Sequence, residues 1–235
     1  ALDKPPNSLF EKGNTFYNKG DYQNAIESYL GIIENGYHSS EVYYNLGNAN
    51  YKIANVAEAN FYFEKANMLS PNDKMIMNNL EFAKNMTMDS IETLPKTQIN
   101  LFFNDLLAFM TTDSWSIFSI LIIWMVCILF LIYSFSKSIV IKRIFFSLGV
   151  LSFLIFVLFI FITFSKQEQE NIKKGIIFSK EIGVWTEPNQ RTEVLFFLHE
   201  GTKFQLIDEL EGWSKILISN GSEGWIESNS IRLLN

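Results

Sequence analysis

The sequence contains 235 residues with 22 phenylalanines, one cysteine and a formal net charge of −6. This acidic balance argues against nucleic acid as a partner, because the phosphate backbone attracts basic surfaces. The lone Cys127 excludes a disulfide within these residues. Apolar residues concentrate in two long runs, so a single soluble domain is excluded. We expect a membrane protein of several domains, with the lipid bilayer as one partner.

The N-terminal part repeats itself at an offset of 34 residues. The matched pairs are Gly13 with Gly47, Asn14 with Asn48, Tyr17 with Tyr51, Ala25 with Ala59 and Tyr29 with Phe63. This pattern resembles the tetratricopeptide repeat, a unit of two antiparallel helices with small residues where the helices touch. We predict an α-helical solenoid over residues 1–88, with repeats at about 6–39 and 40–73 and a capping helix at 74–88. Because such arrays usually need roughly three repeats to be stable on their own, we expect this one to be stabilised by contact with a partner or with the bilayer.

The resemblance implies a concave face, lined by the first helix of each repeat, that binds peptides or partner proteins. On this sequence the face would carry Phe10, Asn14, Tyr17, Asn18, Tyr44, Asn45, Asn48, Tyr51 and Lys52. Aromatic rings are good interaction anchors, but Tyr17 and Tyr51 can equally be packing residues. Repeats that clamp a carboxylate use Lys or Arg on this face. Phe10 stands at the first such place, and the capping helix offers Met75 and Asn79. A carboxylate clamp on this face is therefore disfavoured.

Residues 89–113 are predicted as a linker that contains an amphipathic helix. On a helical wheel one face is apolar, with Ile99, Phe102, Phe103, Leu106, Phe109 and Met110. Such a helix can lie flat on the outer membrane surface or pack against the transmembrane domain of a partner. Both interpretations stay open.

Two runs without a formal charge, residues 114–136 and 144–165, have 23 and 22 residues. At 1.5 Å per residue each run reaches about 33 Å as a helix, enough to cross a hydrocarbon core of ~30 Å. Both runs are apolar on every face, which is typical of helices in lipid. They are predicted as two transmembrane helices.

The connector at residues 137–143 carries Lys137, Lys142 and Arg143 and no acidic residue. Short loops rich in Lys and Arg stay on the cytoplasmic side of the membrane. We therefore expect the regions before and after the two spans to lie outside the cytoplasm. Export of the first region requires a secretory signal, which we expect to have been removed before Ala1.

Beyond a linker at 166–175, residues 176–235 change to the alternating pattern of short β-strands, and Asn220-Gly221 indicates a hairpin. We predict a small barrel. The pairs Gly212-Trp213 and Gly224-Trp225 resemble those of a bacterial SH3-like domain. Trp185, Trp213 and Trp225 either cover the edges of a small core or form a surface for a peptide, a glycan or a partner protein.

Residue patterns that would indicate catalysis or metal binding were not found in the sequence. His38 and His199 belong to different predicted domains, and there is no paired metal-ligand spacing, phosphate-binding loop or nucleophile elbow. We expect no metal, no cofactor and no enzymatic activity.

The order of these elements resembles the BatE family of the Bacteroides aerotolerance operon over essentially the whole chain. The resemblance implies a non-catalytic protein of the bacterial inner membrane with periplasmic terminal domains. Its implied partners are other Bat proteins, including membrane proteins with von Willebrand factor A domains, and indirectly a MoxR-type ATPase. The implied role is in oxygen or stress tolerance or in envelope integrity. The alternative is a cell-wall sensor whose SH3-like domain binds peptidoglycan.

Overall fold

The computed structural model describes residues 7–91, 94–95 and 97–234. Over these residues the chain forms eight α-helices and then seven β-strands, with a short 3-10 helix before the last strand. The chain divides into two compact units, one of Ala1–Leu94 with Lys173–Asn235 and one of Pro95–Ile172. The helical N-terminal region and the β-rich C-terminal region therefore share one compact unit, although the sequence predicts separate domains.

Five helices form the N-terminal part of the first unit. They are α1 (Asn7–Asn18), α2 (Tyr22–Glu34), α3 (Ser40–Lys52), α4 (Val56–Leu69) and α5 (Lys74–Lys84). Asp73 caps α5, because its carboxylate accepts hydrogen bonds from the backbone N–H groups of Met75 and Ile76. The helix ends at Lys84, four residues earlier than predicted, and the Thr87 hydroxyl donates to the Lys84 carbonyl at 2.7 Å.

Small residues at the helix crossings make room for aromatic rings. A Cβ atom on Gly47 would lie 2.6 Å from the Phe63 ring, and one on Gly13 would overlap the Tyr29 ring in the same way. The two glycines and the two rings are the pairs found at the 34-residue offset. Glycine is required at both positions, because any side chain would force α1 away from α2 or α3 away from α4.

Seven strands form one antiparallel sheet in the order β3-β2-β6-β5-β4-β1-β7. The strands are β1 (Lys174–Ile177), β2 (Glu181–Trp185), β3 (Val194–His199), β4 (Lys203–Leu210), β5 (Trp213–Leu217), β6 (Glu223–Glu227) and β7 (Ile231–Leu233). β5 and β6 pair around Asn220-Gly221 as predicted, and Gly221 adopts φ +87°. The order is linear, with β3 and β7 at its ends, so closure into a barrel stays a prediction.

An aromatic and cationic stack joins the sheet to helix α4. Phe61 lies edge-on to Phe178, with ring centroids 5.9 Å apart. The Arg232 guanidinium lies 4.0 Å from the Phe178 ring centroid and 4.8 Å from that of Phe61. Arg232 also donates two hydrogen bonds of 2.9 Å to the Glu58 carboxylate. Stacking and a bidentate ion pair thus act together at this contact.

A second contact between α4 and the sheet is polar. Glu64 is 2% exposed, and its Oε2 accepts a hydrogen bond of 2.6 Å from Lys203 Nζ. One helical turn earlier, Asn60 Nδ2 donates to the Gly201 carbonyl at 3.2 Å. Buried polar groups need such partners, since an unmet hydrogen bond inside a protein is costly.

The segment after α5 is fixed to the sheet through Asp89. Its carboxylate accepts hydrogen bonds from the His199 backbone N–H at 2.7 Å and from the Thr202 hydroxyl at 2.5 Å. His199 Nδ1 lies 2.6 Å from the same carboxylate. Burial would raise the pKa of Asp89, but the bonds from Thr202 and His199 hold it below the usual value. The predicted linker that starts at residue 89 therefore begins with an anchored residue.

Three helices form the second unit: α6 (Gln98–Ala108), α7 (Thr112–Phe135) and α8 (Ile139–Asn171). α7 and α8 are both long and apolar enough to cross a membrane, and only 11% and 6% of their most apolar windows are buried. This low burial differs from that of a core helix in a soluble protein and suggests membrane insertion. α8 exceeds the predicted span of 144–165, because residues on both sides continue the helix.

Half of the apolar face predicted for α6 packs within its own unit. Phe103, Leu106 and Met110 join a cluster with Leu107, Trp115 and Ile162. Lys166 Nζ fixes the end of α6 by donating to the Leu107 carbonyl at 2.8 Å and to that of Met110 at 2.5 Å. Ile99, Phe102 and Phe109 remain exposed. These three residues are the part of the face that is still available to lipid or to a partner.

Candidate functional site

The residues predicted for the concave face belong to α1 and α3, the first helices of the two repeats. A ladder of amides connects these helices. Asn45 Nδ2 donates to Asn14 Oδ1 at 3.2 Å, and the Tyr29 hydroxyl donates to the same oxygen at 2.7 Å. Burial is the main reason that the pKa of Tyr29 rises to about 12, so this hydroxyl remains a donor at neutral pH.

The ladder continues from α3 to α5 through Asn79. Asn79 Nδ2 donates to Asn48 Oδ1 at 2.7 Å and to the Tyr44 hydroxyl at 2.9 Å. Asn14, Asn45, Asn48 and Tyr44 are therefore held in defined orientations. Asn79 lies in the capping helix α5, so these bonds join that helix to the predicted face.

The aromatic residues of this face have mixed roles. Tyr44 and Tyr51 are half-buried and pack against the cluster of Ala59, Phe63, Leu80 and Ala83. Tyr17 lies edge-on to Tyr22 at 5.3 Å, and burial is the first cause that raises its pKa. Phe10 packs against the buried core. Asn18 and Lys52 are exposed. Tyr17, Tyr44 and Tyr51 therefore pack against neighbouring residues and still leave part of each ring at the surface, where a partner could contact it.

The three predicted tryptophans of the sheet form a cluster. Trp185 in β2 and Trp225 in β6 are directly paired across neighbouring strands. The Trp213 ring lies edge-on to Trp185, with centroids 5.3 Å apart. All three side chains are half-buried, so each covers part of the sheet and shows part of its ring to solvent. The adjacent strand β3 adds the exposed side chains Val194, Leu195 and Phe197.

The predicted topology residues lie near the connection between α7 and α8. Only Lys137 belongs to the connection, while Lys142 and Arg143 lie in α8, because that helix begins at Ile139. Lys142 Nζ lies 5.6 Å from the Tyr133 ring centroid. The basic connector is therefore shorter than the predicted 137–143.

Both histidines take part in hydrogen bonds. His38 Nδ1 lies 2.6 Å from the Tyr43 hydroxyl, and His199 contacts Asp89. The hydrogen bond to Asp89 is the main reason that the pKa of His199 is raised. Over the residues that the structure describes, no group of three or more His, Cys, Asp or Glu side chains could hold a metal ion.

Sequence reasoning missed the polar residues of α4 that face the sheet. A signal was present, however. At the 34-residue offset Asn60 matches Ile26, and Glu64 matches Leu30. The second repeat thus places polar side chains where the first has apolar ones. Because Asn60 and Glu64 are buried, this difference indicates a polar neighbour that the repeat pattern alone does not supply.

Comparisons with known proteins support two of the predicted resemblances. Residues 6–34 and 40–73 match the family model of the tetratricopeptide repeat, and residues 183–232 match that of the bacterial SH3 domain. A search of curated proteins found no match to the chain. Domains of these two types suggest interaction with other proteins or, for the SH3 domain, binding to peptidoglycan.

Proposed function

We propose that this chain is a non-catalytic membrane adaptor that presents its repeats and its SH3-like domain to partners outside the cytoplasm. The observation that carries the proposal is the pairing of two recognition domains in one compact unit, in a chain that also has two apolar helices. Such a unit offers the first-helix face of the repeats and the tryptophan cluster together. An enzyme would instead require turnover that a single carboxylate or histidine substitution abolishes.

The proposed orientation rests on the basic residues at the connection between α7 and α8. Lys137, Lys142 and Arg143 would stay in the cytoplasm, which leaves both parts of the first unit on the other side. Cysteine accessibility tests this in a Cys127→Ser background. A cysteine at Ser136 should be shielded from an impermeant thiol reagent in intact cells, whereas one at the exposed Asn229 should react. The opposite pattern would reverse the orientation.

The resemblance to the BatE family supplies the proposed partners. We expect the chain to assemble with other Bat proteins, including membrane proteins with von Willebrand factor A domains, and indirectly with a MoxR-type ATPase. This assembly would act in oxygen or stress tolerance or in envelope integrity. Purification in mild detergent followed by mass spectrometry tests whether a stoichiometric complex forms.

The first-helix face can be tested in the same purification. Asn18→Ala and Lys52→Ala change exposed side chains that the core does not need. We expect this double variant to lose partners that the wild-type chain retains. Glu27→Ala, on the exposed face of α2, is the matched control and should retain them. Unchanged recovery with the double variant would remove this face from the proposal.

A cell-wall sensor is the alternative, and the tryptophan cluster favours it. Clustered, partly exposed rings can bind a glycan or a peptide. If this function is correct, the full-length chain should sediment with isolated peptidoglycan, and Trp213→Ala should weaken the binding. Ile207→Ala changes an exposed apolar residue of β4 and serves as control. Sedimentation without a membrane complex would favour the sensor over the adaptor.

A further inference from the structure

A cavity of about 210 Å³ lies between α7 and α8, in the half of this helical hairpin nearest their connection. Its lining includes Val126, Phe130 and Tyr133 from α7 and Phe146, Gly149 and Phe153 from α8. Apart from the Tyr133 hydroxyl, the lining is apolar. The whole cavity belongs to the second compact unit, and none of its lining residues takes part in the first-helix face or in the tryptophan cluster.

The lining residues of α8 continue a helix face that begins with a cation. Phe146, Gly149 and Phe153 are separated by three and four positions, and Lys142 stands four positions before Phe146. From Lys142 to Phe153 this face extends about 16 Å at 1.5 Å per residue. Half of a hydrocarbon core of ~30 Å is about 15 Å. The length of the face therefore matches the depth of the acyl chains in one leaflet.

Lys142 is connected to the cavity lining by an aromatic contact. Its Nζ lies 5.6 Å from the centroid of the Tyr133 ring. That ring lies 5.9 Å from the Phe146 ring of the other helix. Lys142 is half-buried, whereas Lys137 and Arg143 are exposed. Of the three basic residues near the connection, Lys142 is therefore the one held beside the cavity.

The hairpin provides no negative charge for this cation. Residues 114–165 contain no Asp or Glu. The nearest carboxylates in the sequence, Asp113 and Glu168, belong to the opposite ends of α7 and α8. Basic residues at the end of a transmembrane segment attract anionic lipid headgroups. A suitable occupant therefore combines a long apolar part with an anionic group at one end.

We propose that this cavity binds one acyl chain of an anionic phospholipid whose phosphate faces Lys142. A phospholipid carries both required groups in one molecule. Gly149 leaves room for the chain, because a Cβ atom placed on it would meet no heavy atom within 4 Å. The proposal rests on the proposed insertion of α7 and α8 into a membrane, but it does not depend on the Bat partners or on the orientation.

Native mass spectrometry of the full-length chain, delipidated in mild detergent, tests this site. The probes are phosphatidylglycerol and phosphatidylcholine with identical acyl chains, each added at the same concentration. We expect phosphatidylglycerol to bind at least about fivefold more tightly, since the choline group neutralises the phosphate of the other lipid. Glycerol 3-phosphate supplies the anion without the acyl chains and should not compete. Competition at similar concentration would overturn the proposal.

A steric pair of variants tests the cavity itself. Gly149→Leu places a large side chain in the open space and should remove most of the phosphatidylglycerol binding. Ser147→Leu makes a similar change at an exposed position of α8 outside the lining, and it should bind like the wild type. An equal loss in both variants would overturn the proposal.

A charge pair of variants tests the headgroup contact. Lys142→Gln should weaken phosphatidylglycerol binding about fivefold and leave phosphatidylcholine binding unchanged. Arg143→Gln removes the same charge from the next position, which faces another side of α8, and should weaken binding less than about twofold. Equal effects of the two substitutions would show that the lipid responds only to the total charge, and the site would be rejected.

Extraction of membranes with alkaline carbonate separates this proposal from the proposed function. Release of the wild-type chain would contradict insertion and therefore both proposals. A chain that stays in the membrane but binds the two lipids equally would overturn the lipid site alone. Recovery of the wild-type chain as a lipid-free dimer would do the same, since a second copy would then cover the cavity.

Discussion

The second helices of the two repeats, α2 and α4, occupy matching positions but have different surroundings. α2 buries one face, and its Glu27 is exposed. α4 is buried on more of its circumference, and Phe61, at the position that matches Glu27, stacks against Phe178 of the β-rich region. The same backbone unit thus presents one buried face in the first repeat and two in the second.

This difference teaches how a short repeat array can be stabilised. Two repeats leave the last helices without the neighbours that a longer array provides. Here α5 covers one side of α4, and strand β1 with the residues that follow it covers another. The sequence predicted that a partner or the bilayer would support the array; in the structure the chain's own sheet packs against α4. The polar part of this contact, at Glu64, has no counterpart in the first repeat, where the matching residue is Leu30.

The largest expected effect comes from removing the aromatic contact of α4. Phe61→Ala should lower the free energy of unfolding by about 3 kcal/mol, since it leaves a cavity beside Phe178 and Arg232. Glu27→Ala, at the matching position of α2, should change it by less than about 0.5 kcal/mol. Pulse proteolysis in urea on the full-length chain measures both. Equal effects would show that the sheet does not stabilise α4.

The buried ion pair should have the next largest effect. Glu64→Gln keeps the shape of the side chain but leaves Lys203 without its carboxylate. We expect a loss of about 2 kcal/mol, less than for a fully buried pair, because Lys203 is partly exposed. The matched variant Glu58→Gln, at the more exposed pair with Arg232, should cost about 1 kcal/mol or less. The same proteolysis assay compares them, and a larger loss at Glu58 would contradict the assignment of Glu64 to the core of the contact.

A smaller effect is expected where the repeats differ by one hydroxyl. Tyr29→Phe gives the first repeat the ring that the second has at Phe63. It removes the hydrogen bond to Asn14 and should cost about 1 kcal/mol. Asn35→Ala is the control. It also removes one side-chain hydrogen bond, the exposed bond to the Gly31 carbonyl, but leaves the hydrogen bonds of the amide ladder in place. A stabilising result for Tyr29→Phe would show that the ladder is not required.

The smallest effect should be the pH dependence of the contact between Asp89 and His199, because His199 is accessible to solvent. Asp89 stabilises the fold above its unfolded pKa of 3.8, and this contribution is lost as the pH falls through its lower folded value. His199 has a raised pKa, so its contribution is complete below 6.5 and is lost as the pH rises through the folded value. The contact should therefore be strongest between about pH 4 and 6.5.

Proteolysis between pH 5 and 9 measures this dependence. His199→Gln should remove the decline in stability on the alkaline side. His38→Gln, which changes a histidine that contacts Tyr43 and not Asp89, should leave the decline in place. A decline that persists in His199→Gln would assign the pH dependence to other groups.

The elements with a regular pattern were predictable from the sequence. Gly13 and Gly47 mark the helix crossings, and the two charge-free runs mark α7 and α8, because both signals are local and periodic. The helix ends were less predictable, since α8 continues past both ends of its apolar run. The contact between Glu64 and Lys203 joins residues 139 positions apart, and no local pattern reports such a pair. The assignment of binding residues on the first-helix face stays a prediction.

The hydrogen bonds of Asp89 have a consequence for biogenesis. They join residues 110 positions apart, on either side of α7 and α8 in the sequence. If these helices enter a bilayer, Asp89 can reach His199 only when the chain crosses an even number of times. The contact between Asp89 and His199 can therefore form only when both residues lie on the same side of the membrane. A molecule with one helix left out would leave a carboxylate without its donors and an exposed sheet, both of which are features that quality-control proteases encounter in misassembled proteins.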